Sequence, residues 1–347
     1  MRILATGGAG YVGGVSVDAL IEAGHDVVIL DDLTTGHAAI ANPAARLVRG
    51  SYGDGELVRA LLAEEHVDAI LHCAARSLVG ESLQDPAKYY RDNVAGGITL
   101  LEAARAAGVR RLVFSSTAAT YGVPSRTPIE EDDPLRPINT YGETKRAFEG
   151  ALHWYGQAYG LRSVVLRYFN VAGATERVGE VHRPETHLIP NALRAVEGGP
   201  PLTLFGADYP TPDGTPVRDY IHVADLADAH VAALLATDPA DARTGPADGT
   251  CAPLICNLGT STGFSVRDVL AAAERITGIP VPHTVGPRRA GDPPVLVASN
   301  ARARAVLGWE PSRSSLEAMI GSAWAWRRAH PSGYRDAESA RPRGPAA

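Results

Sequence analysis

Lysine is nearly missing from this chain of 347 residues: of its 33 basic residues only Lys88 and Lys145 are lysines. Arginine takes every position where a generic positive charge suffices. Cysteine is scarce as well. The three present, Cys73, Cys251 and Cys256, are odd in number and fit neither a CxxC nor a zinc-ligand spacing, which argues against a disulfide framework and a cysteine metal site. They read as free thiols in a reducing, cytoplasmic setting, with Cys73 a small hydrophobe inside an apolar run. No apolar stretch approaches the ~18–20 residues of a membrane span, and the chain opens directly on a strand pattern, so neither a span nor a signal peptide is expected. Basic clusters are missing too. With a net charge of −6 and only isolated pairs such as Arg110–Arg111 and Arg288–Arg289, nucleic acid is not an expected partner. No metal is expected.

What is present is an ordinary globular composition, 45% hydrophobic and 21% charged, on a chain long enough for a large core. Its first half alternates short β-branched runs with longer helical patterns. Strands are predicted at 2–6, 26–30, 44–49, 69–72, 111–115 and 163–168, and helices at 15–23, 56–65, 98–107 and 141–159. Such alternation predicts an α/β fold: a Rossmann-type, doubly wound parallel sheet covered by helices on both faces. After residue 170 the rhythm breaks into Gly- and Pro-rich sequence over 171–220, as in Gly198-Gly199-Pro200-Pro201. This predicts a smaller, loop-rich C-terminal substrate-binding domain over 171–330, with helices returning at 223–236, 266–277 and 315–328. Segments near 221–237 and 252–260 are expected to rejoin the first domain, 1–170, and 331–347 to form a disordered tail.

The first strand runs into Gly7-Gly8-Ala9-Gly10-Tyr11-Val12-Gly13 and then a helix. Glycines at 7, 10 and 13 let the backbone approach a pyrophosphate, whose charge the helix N-terminus favours. The strand–turn–helix context makes the motif specific. The second strand ends at Asp31, where a carboxylate binds both ribose hydroxyls of NAD and repels the 2′-phosphate of NADP. No arginine follows closely to reverse that preference, so NAD is the expected cofactor.

Tyr141 and Lys145 lie four residues apart at the start of a helical pattern, hence on one helix face. A phenol ionises near pH ~10. A neighbouring ammonium favours the phenolate and is expected to lower that value, so that the pair can take a proton from an alcohol. In a chain that writes arginine almost everywhere, a retained lysine points to a need for a compact ammonium. A hydroxyl-rich strand end, Ser115-Ser116-Thr117, faces the ligand crevice of such a sheet and can bridge the alcohol and Tyr141.

With these motifs in place, the sequence resembles the extended short-chain dehydrogenase/reductases, and within them the UDP-glucose 4-epimerases, over roughly residues 1–330. The resemblance rests on the glycine motif, Arg167-Tyr168-Phe169-Asn170, Glu185-Thr186-His187-Leu188-Ile189-Pro190, Leu204-Phe205-Gly206-Ala207-Asp208-Tyr209-Pro210-Thr211, Gly214-Thr215-Pro216-Val217-Arg218-Asp219-Tyr220-Ile221-His222-Val223 and Asn257-Leu258-Gly259-Thr260. It implies a catalytic trio of Thr117, Tyr141 and Lys145. It implies that NAD lies against Gly7, Gly10, Tyr11, Val12, Gly13 and Asp31, against Ser51, Tyr52, Cys73, Ala74, Ala75, Ser77 and Asn93, and against Ser115, Tyr141, Lys145 and Tyr168. A UDP-sugar would be held by Thr117, Asn170, His187, Leu188, Thr203, Phe205, Arg218, Tyr220, Arg289 and Asp292. The implied reaction inverts the sugar C4 hydroxyl through a transient 4-keto sugar, as in galactose metabolism, in a homodimer.

Relatives that eliminate water or decarboxylate carry an acid just after the catalytic hydroxyl, and elimination needs one. Here those positions are Ala118 and Ala119. The chain departs from the family's usual residues in three places: Thr117 replaces a serine, Ser77 a lysine near the pyrophosphate, and Ser51 an adenine-side aspartate. At Leu296 the family often has a tyrosine closing the sugar pocket, so an N-acetylated sugar is an alternative substrate. Other nucleotide-sugar epimerases, acting on pentoses or uronates, stay open, as does a non-catalytic NAD-binding regulator on the same fold.

Overall fold

The computed structural model describes residues 1–241, 243, 251–289 and 292–334. The first half runs β1 (Arg2–Thr6), α1 (Tyr11–Glu22), β2 (Asp26–Asp31), β3 (Arg46–Arg49), α2 (Gly55–Glu64), β4 (Ala69–His72), α3 (Val79–Gln84), α4 (Pro86–Tyr89), α5 (Gly96–Ala106), β5 (Arg111–Thr117), α6 (Thr140–Tyr159) and β6 (Arg162–Tyr168). The second half runs β7 (Asn170–Ala172), α7 (Leu188–Val196), β8 (Leu202–Phe205), β9 (Val217–His222), α8 (Val223–Ala236), β10 (Leu254–Leu258), β11 (Gly263–Ser265), α9 (Val266–Thr277), β12 (His283–Gly286), β13 (Val295–Leu296), α10 (Ala301–Leu307) and α11 (Leu316–Ala329).

Seven strands pair in parallel in the order β10-β6-β5-β4-β1-β2-β3. Alternating strand residues feed two cores, as the period of a β-strand requires. Ile3, Ala5 and Ile29 pack with Val17 of α1 and Leu226 and Ala229 of α8 on one face. Leu4, Val28 and Leu30 pack with Leu61 of α2, Leu100 of α5 and Phe148 of α6 on the other. Strand order reverses between β1 and β4, which opens a crevice at their carboxyl ends. β10, from late in the chain, closes the sheet against β6.

The region after β6 is less irregular than its Gly and Pro content predicts. β9 pairs with β7, β11 and β13, and β8 pairs with β12. α7, α9 and α11 cover this part around Leu193, Tyr220, Val269, Met319 and Ile320. The sequence reading passed over α7, whose Pro190 falls in its first turn, where the missing amide has no helical partner to lose. α1 likewise begins at Tyr11, earlier than the predicted 15, because glycines mask its first turn. Of the tail predicted at 331–347, Tyr334 is packed: its hydroxyl donates to the Gly179 carbonyl and accepts from the Gly179 amide, both at 2.8 Å. Residues 335–347 lie outside the described residues.

One buried ion pair sets α6 against the sheet. Arg167, 2% exposed on β6, donates to both oxygens of Glu149 on α6, 6% exposed, with its Nη2 at 2.6 Å. Ser116 on β5 donates to the same carboxylate at 2.5 Å. Arg167 Nη1 reaches the Tyr121 hydroxyl (2.9 Å) and the Glu131 carbonyl (3.1 Å). Removing one partner leaves a buried charge uncompensated, which costs about 3–5 kcal/mol. Glu149→Ala is expected to lower the unfolding free energy by about that amount in urea denaturation, and a loss below ~1 kcal/mol would show that water enters and replaces the carboxylate.

Candidate active site

The crevice between β1 and β4 is built by the glycine turn. Gly7 has φ +75°, and a Cβ there would lie 2.6 Å from the Ala74 nitrogen; one on Gly13 would lie 2.0 Å from the Gly7 oxygen. The turn therefore sits directly on the loop after β4 and tolerates no side chain at either position. α1 is preceded by Gly10 at its N-cap, with no side-chain cap and no acid in its first turn, leaving its N-terminal amides for an anion. Asp31 is buried at the end of β2. Its carboxylate accepts the amides of Ala9 (3.0 Å) and Leu33 (2.9 Å), and each oxygen keeps a lone pair for a ribose hydroxyl. Burial pushes Asp31 upward against the pull of those two bonds. These features fit an NAD molecule along the crevice.

The other residues expected on the cofactor have varied settings. Cys73, Ala74 and Ala75 follow β4, with Ala74 N–H bonded to the Thr6 carbonyl, and Cys73 Sγ lies 3.1 Å from Ser115 Oγ. Tyr52 stacks edge-on to His72 and donates to the Asp92 carbonyl. Tyr11 donates to the Gly173 carbonyl at 2.6 Å, tying the glycine turn to the second half of the chain, and Val12 is half-buried beside it. Asn93 uses both ends of its amide, accepting from the Arg76 amide and donating to the Arg76 carbonyl and Thr144; its side chain shapes the loop after β4. Ser51 and Ser77 are exposed. Next to Ser77, Arg76 reaches Asp32, the neighbour of Asp31, a contact that sequence spacing could not place. Its Nε is 2.9 Å from Asp92 and its Nη2 3.4 Å from Asp32, so two carboxylates already balance its charge.

At the carboxyl end of β5, Tyr141 and Lys145 come together with Thr117. α6 begins at Thr140, capped by Asn139, whose side chain accepts the Gly142 amide at 2.8 Å. Tyr141 thus stands in the first turn, where the positive end of the helix dipole favours a phenolate. Lys145, 3% exposed, donates to the Ser115 carbonyl at 2.8 Å and lies 4.6 Å from the Phe114 ring centre and 6.0 Å from that of Tyr141. Burial lowers Lys145 to about 8, partly offset by Cys73 and Glu149. Burial also raises Tyr141 to about 12, opposed only by the hydrogen bond from Thr117. This corrects the expectation from spacing: in the protein alone, desolvation of the phenolate outweighs the Thr117 hydrogen bond, and the Lys145 ammonium does not bring the phenol below its ordinary value. Burial likewise holds Tyr168 high, against its bond with Ser115. Behind Ser115, His230 Nε2 lies 2.9 Å from the Ser115 hydroxyl and is kept neutral by burial at about 4; no sequence motif announced it. Lys88, the other lysine, sits in an ion pair with Glu81 at 2.6 Å.

Thr117 stands abreast of Tyr168 on β6, and two residues further Asn170 opens β7 at the mouth of a cavity of about 480 Å³. Asn170, His187, Leu188, Thr203, Phe205, Arg218, Tyr220, Arg289 and Asp292 all line it. β9 carries Arg218 and Tyr220 on alternate positions, β8 carries Thr203 and Phe205, and α7 begins beside His187. Arg218 is held by Asp292 at 2.5 Å, and the Arg289 guanidinium lies 4.1 Å from the Phe205 ring centre. Arg194, a third arginine on the wall, was not singled out in the sequence; only the folding of α7 reveals it.

At one edge of the cavity the segment before α7 gathers Glu180, His182, Glu185 and His187. His187 Nδ1 lies 2.8 Å from Glu180 Oε1 and 2.9 Å from Glu185 Oε1, and His182 Nδ1 3.2 Å from the same Glu180 oxygen. Burial opposes charge on both imidazoles, but bonds to the two carboxylates outweigh it and raise them to about 9 and about 10.

A parallel sheet with a glycine turn, a buried aspartate closing β2 and a Tyr–Lys helix at its carboxyl edge defines a nicotinamide-dinucleotide enzyme site. Residues 3–244 match the profile of the "NAD dependent epimerase/dehydratase family". A UDP-glucose 4-epimerase of Lactobacillus helveticus is 48% identical over 339 residues, 97% of this chain and 100% of that protein. One of Streptomyces lividans is 49% identical over 337 residues, 96% and 98% of the two chains. The crystal structure of a Brucella ovis UDP-glucose 4-epimerase in complex with NAD superposes with a TM-score of 0.88 at 43% identity, covering 93% of this chain and 97% of that one. The chain belongs to the NAD dependent epimerase/dehydratase family.

The ammonium of Lys145 halves near pH 8 and falls about tenfold per unit above that. Because the phenolate grows with pH while the ammonium that favours it is lost above 8, kcat/KM is expected to climb up to about pH 8 and to level off through pH 8–9.5. A profile that climbs across this range would instead make ionisation of Tyr141 limiting and deny the ammonium a role.

Proposed function

We propose that this chain inverts the C4 hydroxyl of a UDP-hexose, interconverting UDP-glucose and UDP-galactose through a transient 4-keto sugar. The observation that carries the reading is the junction of two halves: the Thr117–Tyr141–Lys145 trio at the end of β5, and the arginine-bearing cavity whose wall includes Asn170, two residues beyond the Tyr168 that pairs with Thr117. When bound, NAD supplies reversible hydride acceptance, so the cofactor is recycled in each turnover. Tyr141 takes the proton of the sugar 4-hydroxyl and later returns it. Thr117 stabilises the phenolate by hydrogen bonding, while the Lys145 ammonium and the N-terminus of α6 bias it electrostatically. Arg218 and Arg289 suit a diphosphate, since planar donors engage two oxygens at once.

Elimination lacks its acid. Ala118 and Ala119 follow Thr117 in a tight turn, and the nearby carboxylate of Glu149 is held by Arg167 and Ser116. In this reading residues 1–170, with 221–237 and 252–260, hold NAD, and 171–330 hold the UDP-sugar.

Leu296 supports a wider sugar range. It is half-buried on β13, abreast of Arg218, and packs on the cluster of Tyr121, Ile129, Phe169 and Ala298. A leucine there leaves space that a tyrosine would fill, so UDP-GalNAc and UDP-GlcNAc are proposed as secondary substrates. A homodimer is proposed through α5 and α6. These helices are tied by Tyr155 and Glu102 at 2.7 Å and present Trp154, 68% exposed, and Tyr159, 47% exposed. No described helix is long and apolar enough to cross a membrane; Cys73, Cys251 and Cys256 are free thiols, which supports a cytoplasmic setting.

A panel of UDP-sugars followed by proton NMR tests the reaction. UDP-galactose and UDP-glucose are expected to interconvert, with Tyr141→Phe slower by about 10²–10⁴-fold and Leu296→Tyr selectively slower on the N-acetyl sugars. Inactivity of the wild type on every UDP-sugar would leave the non-catalytic NAD-binding reading standing. For the dimer, light scattering should give twice the chain mass, with Trp154→Asp shifting it to monomer; an unchanged mass would place the interface elsewhere.

A further inference from the structure

The geometry points to a divalent transition-metal site of the zinc class, formed by Glu180, His182, Glu185 and His187 on the segment that joins the cofactor crevice to the sugar cavity. The donor set is two imidazole nitrogens and two carboxylates from Glu-x-His-x-x-Glu-x-His, and one donor atom from each residue lies within 4.8 Å of the others. Ligands at ~2.0–2.1 Å around a tetrahedral ion stand roughly 3.3 Å apart. The four nitrogen–oxygen separations in the cluster, 3.2, 3.7, 2.8 and 2.9 Å, bracket that spacing.

Two further observations favour a cation there. Both carboxylates are largely removed from water, Glu180 at 7% and Glu185 at 9% side-chain exposure, so their charge must be balanced within the cluster, by the two imidazoles or by a divalent ion that replaces the imidazole protons. His182 Nδ1 is buried and, although 3.2 Å from Glu180, lacks a hydrogen bond of acceptable geometry. Mixed nitrogen and carboxylate oxygen donors suit zinc-class ions rather than calcium or magnesium, which take oxygen alone.

The site's position gives it a consequence. The His182 ring lies edge-on to Tyr11 of the glycine turn, centroids 6.4 Å apart, and the Val181 carbonyl lies 3.3 Å from His37 Nε2 in the loop after β2. At its other end His187 lines the cavity. An ion held here pins one wall of the sugar cavity to the cofactor half of the molecule. With Nδ1 on the metal, His187 Nε2 is fixed as an N–H donor.

The test uses the untagged full-length chain after dialysis against a chelator. Calorimetric titration with Zn²⁺ is expected to show one saturable equivalent per chain, weakened at least tenfold in both Glu180→Gln and His182→Ala, each first shown by circular dichroism to be folded. On the wild type alone, Co²⁺ is expected to give visible d–d bands without a thiolate charge-transfer band. Absence of saturable Zn²⁺ binding overturns the site, as does unchanged affinity in both variants. A strong thiolate-to-cobalt band would assign the ion to the cysteines and overturn it equally.

Discussion

The contact on which the rest of the site depends is the buried Arg167–Glu149 pair. It joins three elements at one point: Arg167 belongs to β6, Glu149 to α6, and Ser116 of β5 donates to the same carboxylate. Ser116 lies between Ser115, which accepts from Lys145, and Thr117, which bonds Tyr141. Glu149 in turn follows Lys145 by one helical turn. The ion pair therefore sets the axial position of α6 on the sheet, and with it the separation of phenol, ammonium and hydroxyl. A hydrophobic contact would hold the helix without defining its register; charged groups with directional bonds define both.

Around this anchor the site is electrostatically incomplete by design of its burial. Desolvation keeps Tyr141 protonated and pulls Lys145 toward neutrality. Both effects oppose formation of the phenolate; positive charge or a hydrogen-bond donor beside the phenol relieves the first, and negative charge or an acceptor beside the ammonium relieves the second. The scarcity of lysine acquires a physical meaning here. A guanidinium in place of Lys145 would have to fit between the Ser115 carbonyl and the Phe114 ring in a space that holds a single ammonium.

The second half of the molecule builds the cavity. β9 places Arg218 and Tyr220 on one face, β8 adds Thr203 and Phe205, and the segment before α7 adds His187. This half is joined to the cofactor half by polar contacts at the glycine turn, from Tyr11 to Gly173 and from His37 to Val181. The two halves therefore share a boundary made of directional bonds as well as packing.

By itself the sequence determined what is local: the strand–helix alternation, the glycine turn, the carboxylate closing β2, and a tyrosine and lysine one helical turn apart. Each follows from periodicity or backbone sterics over a few neighbouring residues, so β1, β4, α8 and α9 could be read with their observed limits. Likeness to a family supplied the cavity-lining residues, which no local rule distinguishes from surface residues; Arg218 and Arg289 are examples. Only the tertiary structure decided what depends on distant parts meeting. α7 was hidden by proline, Arg76 reaches Asp32 across the crevice, His230 backs Ser115 from a helix over a hundred residues away, and two Glu-x-His pairs converge on one point. The sign of the Tyr141 shift belongs to the same group. Spacing reports which charges are near, but burial sets their weight, and burial is a property of the whole fold.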